Sequence, residues 1–383
     1  MDYRMRIRVG YGITAFLKGV SGEGVDGIGQ TIFETSEILF KRREIELLPV
    51  TFGSNAFHLL NSKCQLVALP PFSLLVATSI ITGMHFPFTK KLYTLMDIFH
   101  ATDHRIPKLK KIPVVATIHD AIPLSAPEWV STKYRLLISP AFRKSANWAE
   151  RIITVSNYSK AQIVRHFRIN EDRIVVIPNG VNERWFREIR DKEVEETLAK
   201  FQLLDRYIIY VGTIQPRKNI ERLINAYLGF RARNGNKVGL VIIGRAGWGY
   251  GRLLKQLKSD DAKKNGIHWL NYVSNNDLEI IVKSASCLAL PSLAEGFGLP
   301  VLEAFAAGVP VLTSNTTSLP EVAGDAAIMV NPLDELSILE GLEKILLDPT
   351  TSSFLREAGR IRARKFSWSV TADKLIDLYK SVV

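Results

Sequence analysis

Two glutamates, Glu295 and Glu303, are separated by a stretch that contains two glycines and a proline, EGFGLPVLE. Glycine costs roughly 1 kcal/mol relative to alanine inside a helix, whereas proline is favoured at the first helical position. We therefore expect residues 295–298 to form a loop and Pro300 to begin a helix, with Glu303 in its first turn. A short apolar run, SCLALPS at 286–292, precedes the loop and predicts a buried parallel strand. This order of strand, glycine loop and helix is where open α/β sheets bind ligands.

A second loop carries two neighbouring cations. In YVGTIQPRKNIERLINAY, residues 210–227, we expect a strand to end at Gly212 and a helix to begin near Asn219, a residue type that caps helices well. Arg217 and Lys218 come just before that helix, whose dipole adds positive potential. Such a pair is commonly only solvated, but it shares its half of the chain and its sheet edge with the two glutamates. The combination predicts a phosphate site.

Two further loops in the first half of the chain precede helices or follow strands. The segment SGEGVDGIGQTIFE, residues 21–34, is a glycine-rich loop that runs into a helix, but it does not fit the GxGxxG pattern and is weak by itself. The predicted strand PVVATIHD ends in His119 and Asp120, which we expect to point into the crevice of the sheet; a capped loop with a satisfied histidine is the alternative. Ser156 lies at another strand-to-helix step, VSNYSK, where helix capping by Ser156 or Asn157 is the simpler role.

Strand-like and helix-like runs alternate through almost the whole chain, which predicts parallel sheets covered by helices on both faces. The predicted strands of the first half are RIRVG, EIELLPVT, DIFHAT, PVVATIHD, RIITVS and RIVVIPNG, and those of the second half are RYIIYVGT, GLVIIG, HWLNYV, SCLALP and PVLTS. The predicted helices include YRLLISPAFRKSANWA, NYSKAQIVRHF, NIERLINAYLGFRAR, NDLEIIVKSA, PVLEAFAA and VTADKLIDLYKSVV. The fold class is therefore α/β, with two doubly wound Rossmann-like domains in tandem that face each other across a cleft.

The domain boundary is expected at the charged stretch that follows PNGV. Residues 1–182 should form the first Rossmann-like domain and residues 183–365 the second, with residues 366–383 forming a C-terminal helix that packs back toward the first domain. A chain of 383 residues is too long for one ordinary core. Its hydrophobic fraction of 46% is that of a globular protein and leaves no room for long disorder.

Positive charge is concentrated in the first half, where residues 1–182 carry 23 lysines and arginines against 14 acidic residues. A basic half can bind nucleic acid, an anionic membrane or a phosphorylated substrate. No zinc-finger spacing, RRM consensus or recognition helix is visible, so we expect no nucleic-acid partner. An anionic membrane surface is the favoured partner, and a merely solvated basic face is the alternative.

The remaining sequence features concern the compartment and the membrane. The N-terminus MDYRMRIRVGYGI is not a signal peptide, because its apolar residues alternate with arginine as in an edge or outer strand. The most apolar stretch, residues 66–88, is interrupted by Pro70 and Pro71; it predicts a strand followed by a buried helix, or a segment that dips into a membrane surface. Two cysteines, Cys64 and Cys287, give no disulfide framework and indicate a reducing compartment. We expect a cytoplasmic protein, with or without peripheral contact to the inner face of the membrane.

The residues of these loops carry a family resemblance. EGFGLPVLEA at 295–304 resembles the E-x7-E motif of retaining GT-B glycosyltransferases. Four other stretches resemble glycosyltransferase family 4: YVGTIQPRKN at 210–219, IPNGV at 177–181, TIHD at 117–120 and TSLPEVAGDAA at 317–327. The resemblance extends from about residue 27 to residue 375 and is closest to bacterial mannosyltransferases that build O-antigen and other polysaccharides.

The resemblance implies an enzyme that transfers a hexose, with retention, from a nucleotide sugar to a glycan or lipid-linked oligosaccharide. The first domain would bind the acceptor, and the donor would lie mostly against the second domain, with Gly27 and Gly29 facing its phosphates from the first. The donor-binding residues that it implies are Gly27, Gly29, Gly212, Arg217, Lys218, Arg245, Glu295, Gly296, Phe297, Gly298, Leu299 and Glu303. The acceptor-side residues that it implies are Gln30, Asp120 and Ser156.

The resemblance also implies a role for individual side chains. Arg217 and Lys218 would neutralise the diphosphate leaving group, and Glu303 would bind the ribose hydroxyls. Glu295 would hold hydroxyls of the donor sugar, and His119 would lie near the transferred sugar as a fourth catalytic residue. No DxD motif or His/Cys cluster stands out, and the two cations can replace a metal ion, so no metal or other cofactor is expected.

The sequence departs from relatives at two places and leaves other functions open. Relatives commonly have an aromatic residue or arginine soon after the first glycine loop, where this chain has Gln30 and Thr31. Arg245 stands where lysine is frequent. GDP-mannose is the favoured donor, and a UDP-sugar for a glucosyl- or GlcNAc-transferase is the alternative. An NDP-sugar 2-epimerase would need acid/base carboxylates that the sequence does not place. The two glutamates and the Arg-Lys pair argue against an inactive nucleotide-sugar-binding subunit.

Overall fold

The computed structural model describes residues 6–22, 24–53, 66–86, 92–129, 139–247 and 251–383. The chain divides into two compact units. The first unit combines residues 1–180 with residues 367–383, and the second unit comprises residues 181–366. Each contains one parallel sheet with helices on both sides, which confirms the predicted α/β fold class.

The first unit contains a seven-stranded sheet. Its strands are β1 (Ile7–Gly12), β2 (Ile45–Phe52), β3 (Val67–Leu69), β4 (Ile98–Ala101), β5 (Val114–Thr117), β6 (Arg151–Thr154) and β7 (Ile174–Val176). They lie in the order β3-β2-β1-β4-β5-β6-β7, and all of the neighbouring pairs run parallel. Strands β4, β5 and β6 are buried almost throughout, as expected for a parallel sheet covered on both faces.

The N-terminal strand is central, so its prediction as an edge strand is wrong. Strand β1 pairs with β2 on one side and with β4 on the other. The arginines that suggested an edge occur only at its beginning, where Arg8 forms a 2.6 Å ion pair with Asp97. The last four residues of the strand are all buried. A charged residue is tolerated in this central strand because a carboxylate pairs with it at the rim of the sheet.

The helices of the first unit cover both faces of this sheet. They are α1 (Thr14–Ser21), α2 (Gly27–Leu39), α3 (Phe72–Thr82), α4 (Ile122–Ser125), α5 (Ser139–Ala146), α6 (Asn157–Phe167) and α16 (Trp368–Val382). The C-terminal helix α16 packs into the core beside β1, through Leu375, Ile376 and Tyr379. Residues 134–138 of the predicted helix YRLLISPAFRKSANWA lie outside the described residues.

Within the apolar stretch at residues 66–88, the described residues 66–86 form the predicted strand and helix, but the helix is buried only on one side. Helix α3 turns Leu75, Val76 and Ser79 toward the core, whereas Leu74 and Ile81 are exposed. Its apolar residues surround the whole helix, so sequence pattern alone does not distinguish the buried side from the exposed side.

The second unit contains a six-stranded sheet in the order β10-β9-β8-β11-β12-β13. Its strands are β8 (Tyr207–Val211), β9 (Gly239–Ile243), β10 (Ile267–Leu270), β11 (Cys287–Leu290), β12 (Val311–Ser314) and β13 (Ile328–Val330). Its helices are α7 (Asp191–Phe201), α8 (Ile220–Asn234), α9 (Gly251–Leu257), α10 (Asp260–Lys264), α11 (Asn275–Lys283), α12 (Leu299–Ala306), α13 (Leu319–Ala323), α14 (Glu335–Leu347) and α15 (Pro349–Ala363). The short edge strand β13 is absent from the sequence prediction.

Each sheet reverses its strand order once, between β1 and β4 in the first unit and between β8 and β11 in the second. At such a reversal the connections leave the sheet toward opposite faces, which opens a crevice at the carboxyl ends of the strands. The loops after β8 and β11 contain the predicted Arg-Lys pair and the first predicted glutamate. The topology therefore accounts for the meeting of side chains that lie almost eighty residues apart in the sequence.

Among the described residues, no helix has both the length and the apolar character needed to cross a membrane.

Candidate functional site

The loops after β8 and β11 are joined to each other at the strand-order reversal of the second unit. The chain leaves β8 through Gly212 and forms a short 3₁₀ helix at Pro216–Lys218, while β11 leads into residues 291–298. The backbone N–H of Leu293 donates to the carbonyl oxygen of Arg217 at 2.7 Å. This bond fixes the loops side by side, at the edge of the sheet where ligands bind in doubly wound folds.

An ion cluster formed by Arg217, Lys218, Glu295 and Ser292 lies at this junction. The Lys218 ammonium donates to Oε1 of Glu295 at 2.5 Å, and NH1 of Arg217 donates to Oε2 at 2.9 Å. The hydroxyl of Ser292 donates to Oε1 at 2.8 Å. Exposed fractions of the lysine and glutamate side chains are only 10% and 7%, and that of the arginine is 20%. Two cations and one carboxylate leave the cluster with a net positive charge.

The pKa of Glu295 is lowered by this arrangement. Burial by itself would raise the pKa, but the charges of Lys218 and Arg217, with the hydrogen bonds from Lys218 and Ser292, lower it to about 2. The carboxylate is therefore ionised at neutral pH and keeps both cations in fixed positions. NH1 of Arg217 also donates to the carbonyl oxygen of Ala294 at 3.0 Å, which further restricts the guanidinium.

Hydroxyl groups support the loop that carries Glu295. The hydroxyl of Ser318 donates to the carbonyl oxygens of Glu295 and Phe297, at 2.9 and 3.2 Å. The backbone N–H of Glu295 donates to Oγ1 of Thr317 at 3.3 Å. Both hydroxyl residues belong to the motif TSLPEVAGDAA, but the sequence pattern by itself indicates no role for them.

Asn219 has a different role from the predicted helix cap. Helix α8 begins at Ile220, and Asn219 occupies the capping position, but its side chain makes no capping hydrogen bond. It adopts the left-handed conformation, which asparagine tolerates, and its amide donates to the carbonyl oxygens of Pro291 at 2.9 Å and Pro332 at 2.6 Å. The residue therefore links the loop after β8 to two other loops, a tertiary contact that a local capping rule does not predict.

The loop at 295–298 ends at Gly298, whose φ of +108° requires glycine. Helix α12 begins at Leu299, one residue before the predicted Pro300. Glu303 is the fifth residue of this helix, so its placement in the first turn is wrong; it lies in the second turn and is half-buried. The early start follows from Gly298, which reverses the chain and lets the proline occupy the second helical position.

The other residues of this loop differ in burial. Gly296, Phe297 and Gly298 are buried, whereas Leu299 is half-buried. The ring of Phe297 packs edge-to-face against that of Phe366, with their centroids 5.9 Å apart. The phenylalanine side chain therefore belongs to the core, and any contact with a donor at this position falls to its backbone.

Gly212 and Arg245 lie on neighbouring loops. The N–H of Gly212 donates to the carbonyl oxygen of Ile243, and the carbonyl oxygen of Arg245 accepts from the N–H of Ile214, both at 2.9 Å. A Cβ atom on Gly244 would lie 2.0 Å from the carbonyl oxygen of Gly212, so the two backbones touch directly. The close approach of the two backbones therefore requires glycine at position 244, and the half-buried Arg245 follows it directly. Residues 248–250 of the GRAGWGYG stretch lie outside the described residues.

The glycine-rich loop of the first unit forms the first turn of α2. The carboxylate of Asp26 caps the helix by accepting from the N–H of Gly29 at 2.8 Å. A Cβ on Gly29 would meet Val25 at 2.7 Å, whereas a Cβ on Gly27 would have no atom within 4 Å. The amide nitrogen of Gln30 donates to Glu34 at 2.6 Å. Packing therefore accounts for the second glycine but gives no reason for the first.

His119, Asp120 and Ser156 occupy the carboxyl ends of strands in the first unit. The Nε2 atom of His119 lies 3.1 Å from the carbonyl oxygen of Thr102, and burial lowers the pKa of this histidine. Asp120 accepts from the N–H of Ile122 at 3.0 Å at the start of α4. Ser156 caps α6 by accepting from the N–H of Ser159 at 3.1 Å, which confirms the capping role that its position suggested.

A buried polar cluster that the sequence analysis missed lies beneath His119. The Nδ1 atom of His100 lies 2.6 Å from the hydroxyl of Tyr379 on α16, and its Nε2 atom lies 2.7 Å from the hydroxyl of Thr117. A cavity of about 30 Å³ adjoins these residues and His119, room for about one water molecule. In the sequence, this cluster is indicated only by the histidine inside the apolar predicted strand DIFHAT.

The structure thus places the predicted residues in two sets. The second unit contains Gly212, Arg217, Lys218, Arg245, Glu295, Gly296, Phe297, Gly298, Leu299 and Glu303, and direct contacts join Arg217, Lys218 and Glu295. The first unit contains Gly27, Gly29, Gln30, His119, Asp120 and Ser156. Over the described part of the chain, no group of three or more His, Cys, Asp or Glu side chains is arranged to hold a metal ion.

Two family models match the chain. Glycosyl transferases group 1 matches residues 193–362, and Glycosyltransferase Family 4 matches residues 67–185. The O-antigen chain mannosyltransferase B of Escherichia coli is 33% identical over 285 residues, which cover 74% of this chain and 74% of that protein. The serotype-specific mannosyltransferase WbdA of Escherichia coli is 32% identical over 69% of this chain, which spans only 33% of WbdA's length.

The solved structures extend the similarity to the whole fold. Anabaena HepE, solved in complex with UDP and glucose, matches 98% of this chain and 100% of its own with a TM-score of 0.74 and 15% sequence identity. Its likeness concerns the fold alone, and it confirms the predicted GT-B fold class.

Proposed function

The chain belongs to glycosyltransferase family 4, and we propose that it transfers mannose from GDP-mannose, with retention at the anomeric carbon, to a lipid-linked glycan. That it is a hexosyltransferase, with a nucleotide-sugar donor and a glycan acceptor, follows from its family membership. The choice of mannose is supported by relatives named for mannosyl transfer to O-antigen chains.

The observation that carries the proposal is the ion cluster at the carboxyl edge of the second sheet. Departure of a nucleoside diphosphate places growing negative charge on the β-phosphate as the bond to the sugar breaks. Arg217 and Lys218 are fixed before any ligand arrives, because Glu295 pairs with both of them. Cations positioned in advance, in a largely buried place, stabilise such charge without the cost of reorganisation.

Glu295 then has two roles in the proposed mechanism. Its carboxylate orients the two cations, and the remaining lone pair on Oε2 can accept a hydrogen bond from a hydroxyl of the donor sugar. The half-buried Glu303 would accept from the ribose hydroxyls. Because two fixed cations face the diphosphate, we propose that transfer requires neither a metal ion nor another cofactor.

The first unit supplies the proposed acceptor side. Gln30, Asp120 and Ser156 lie near the starts of three helices that follow loops or strands of the first sheet, and His119 would lie near the transferred sugar. We further propose that the protein acts at the inner face of the cytoplasmic membrane as a peripheral protein. The excess of positive charge in residues 1–182 supports this location, since the cytoplasmic leaflet is anionic.

A direct test incubates the purified chain with GDP-mannose, UDP-glucose and UDP-GlcNAc, each with and without a lipid-linked oligosaccharide acceptor and with or without EDTA. The expected result is a mannosylated product from GDP-mannose only, with an α linkage by NMR and no loss of rate in EDTA. Hexose transfer from a UDP-sugar would overturn the choice of donor. Sugar isomerisation without transfer would indicate an epimerase, and neither transfer nor isomerisation with any of the three nucleotide sugars would indicate an inactive subunit.

A further inference from the structure

Helix α3 presents an uncharged and largely apolar face to solvent. The exposed fractions of Leu74, Ile81 and Met84 are 64%, 82% and 57%. Ala77 and Thr78 lie between them at helical spacing and are also exposed. Residues at spacings of three, four and seven share one side of a helix, so Leu74, Ala77, Thr78 and Ile81 form a continuous stripe. Met84 follows Gly83, just past the end of the helix.

The threonine hydroxyls of this helix bond to the helix itself. The hydroxyl of Thr78 donates to the carbonyl oxygen of Leu74 at 2.9 Å, and that of Thr82 donates to the carbonyl oxygen of Thr78 at 2.7 Å. Residues 66–86 contain no aspartate, glutamate, lysine or arginine. The stripe can therefore leave water without burying a charge or separating these hydroxyls from their acceptors.

Lysines from two other segments border the C-terminal end of α3. The ammonium of Lys144, on α5, donates to the carbonyl oxygen of Ile80 at 3.0 Å, and that of Lys108 donates to the carbonyl oxygen of Gly83. Lys110 and Lys111 follow in the same loop as Lys108 and are exposed. An apolar stripe thus adjoins a set of cations.

We infer that this α3 face, formed by Leu74, Ala77, Thr78 and Ile81, docks the protein on an anionic phospholipid bilayer. Apolar side chains would enter the boundary between headgroups and acyl chains, and the bordering lysines would contact lipid phosphates. The helix has eleven residues, about 16 Å of length, so it lies in the interface rather than crossing the bilayer. This inference deepens the proposed function by naming the surface that meets the membrane, and it rests on that function only for the location.

A comparison with another exposed apolar pair of this chain supports a lipid bilayer as the partner of the α3 face. Phe354 and Ile361 on α15 are also exposed and also seven residues apart, but the charged Glu357 lies between them on the same side of the helix. That pair cannot enter lipid without burying a carboxylate, whereas the α3 face has no such obstacle. The basic border also favours phospholipid, which offers apolar chains and anionic phosphates together, over a second copy of this basic chain.

The test measures co-sedimentation of the full chain with vesicles of phosphatidylcholine and phosphatidylglycerol, and with vesicles of phosphatidylcholine alone. The variants are Leu74→Gln with Ile81→Gln, which keep charge and helix propensity, and Lys108→Gln with Lys144→Gln. Phe354→Gln with Ile361→Gln, at the same spacing on α15, is the matched control. GDP-mannose binding by calorimetry and the sedimentation coefficient without vesicles are recorded for every variant.

The wild type and the control should bind anionic vesicles alike. The α3 variant should bind them about tenfold more weakly or worse at every salt concentration. The lysine variant should lose affinity mainly at low salt. Equal vesicle binding by the α3 variant and the control, or no binding by the wild type, would overturn the docking surface whatever the donor. Self-association that disappears in the α3 variant would overturn it in favour of a second copy.

The outcome for the membrane is separable from the outcome for the donor. If vesicle binding depends on the α3 face while GDP-mannose fails to bind, the docking surface stands and the proposed donor is wrong. If GDP-mannose binds and the α3 variant still associates with vesicles as the wild type does, the proposed donor stands and the docking surface is wrong.

Discussion

The ammonium group of Lys218 lies 2.5 Å from Oε1 of Glu295, and the two side chains are only 10% and 7% exposed. A buried ion pair contributes little net stability, but removal of one partner leaves the other charge without compensation. The pKa of Glu295, about 2 in the folded chain and 4.5 ordinarily, is a depressed value. Its contribution to stability is therefore complete above about pH 4.5 and is lost as the pH falls toward 2.

Substitution of Glu295 by glutamine should show how the charge of this residue affects both stability and turnover. Glu295→Gln keeps the shape of the side chain but leaves Lys218 and Arg217 without their shared counterion. We expect the free energy of unfolding of the second unit to fall by about 3–5 kcal/mol at pH 7, and we expect turnover to fall strongly. Denaturant unfolding and initial transfer rates measure the two quantities.

Glu279 offers a matched control in the same unit. Its side chain is 5% exposed and pairs with Lys283 at 2.7 Å and with Arg187 at 3.3 Å, but it lies on α11, before β11 rather than after it. Glu279→Gln should destabilise the unit comparably and leave the transfer rate of the folded protein unchanged. If the Glu279 variant loses turnover as severely as the Glu295 variant, the loss reflects instability, and the assignment of Glu295 to the donor site is wrong.

Removal of the Lys218 charge should slow the chemical step more than it weakens donor binding. In Lys218→Met the apolar stem remains, but one of the two cations that we propose to face the leaving diphosphate is gone. Loss of one such preorganised group typically lowers kcat about 10²–10³-fold. Steady-state kcat and KM with GDP-mannose give the measurement. Lys192→Met removes an exposed lysine, 83% accessible, from α7 of the same unit and should change neither constant. A kcat for Lys218→Met within twofold of wild type would show that this lysine does not stabilise the leaving group.

The convergence of the ion cluster was predictable because it follows from topology. Alternating apolar runs indicate parallel strands, parallel strands have their carboxyl ends at one edge, and Arg217 and Glu295 follow two such strands. The details were not predictable because they depend on tertiary contacts. Asn219 looks like a helix cap in the sequence, yet its amide bonds to Pro291 and Pro332, which are 72 and 113 residues away. Glu303 moves to the second turn because Gly298 starts the helix earlier than proline preference suggests.

The same limit explains the two errors in the first unit. The arginines near β1 indicated an edge strand, but a single carboxylate, Asp97, lets Arg8 stand at the rim of a central strand. The hydropathy of α3 showed no preferred side, so the exposed stripe became visible only once its packing was known. Local sequence patterns identify helices and strands well. They identify the hydrogen-bond or ion-pair partner of a polar residue only when that partner is near in sequence.

A small substitution at Gly27 should test the first unit's part in donor binding without disturbing its fold. A Cβ on Gly27 would meet no atom within 4 Å, and the residue is exposed at the start of α2. Gly27→Ala should therefore leave thermal stability unchanged or slightly higher, while the added methyl group should raise the KM for the nucleotide sugar if the diphosphate approaches this backbone. Steady-state kinetics and a thermal melt are the measurements.

Gly29 provides the contrasting substitution two residues away. Its Cβ would lie 2.7 Å from Val25, so Gly29→Ala should lower the melting temperature through a packing conflict. An unchanged KM in Gly27→Ala would remove this glycine from the donor site. A melting temperature that falls equally in both variants would show that the α2 N-terminus is packed more tightly than its contacts indicate.

The buried pair of His100 and Tyr379 should give the first unit a measurable pH dependence. Burial lowers the pKa of His100 to about 3, from an ordinary value of 6.5, so the folded state holds the neutral ring that the unfolded chain protonates below pH 6.5. Stability from this group is complete above pH 6.5 and falls by up to about 1.4 kcal/mol per pH unit as the pH drops toward 3. His100→Gln should reduce that slope by the amount that corresponds to the uptake of one proton on unfolding.

Tyr379→Phe removes the hydroxyl that lies 2.6 Å from His100 but keeps the ring buried. It should instead lower stability by about 1–3 kcal/mol at every pH and leave the slope unchanged. Unfolding of the variants between pH 4.5 and 7.5 distinguishes these cases. NMR titration of the His100 ring checks the premise, since a ring that titrates near its ordinary pKa would contradict its burial.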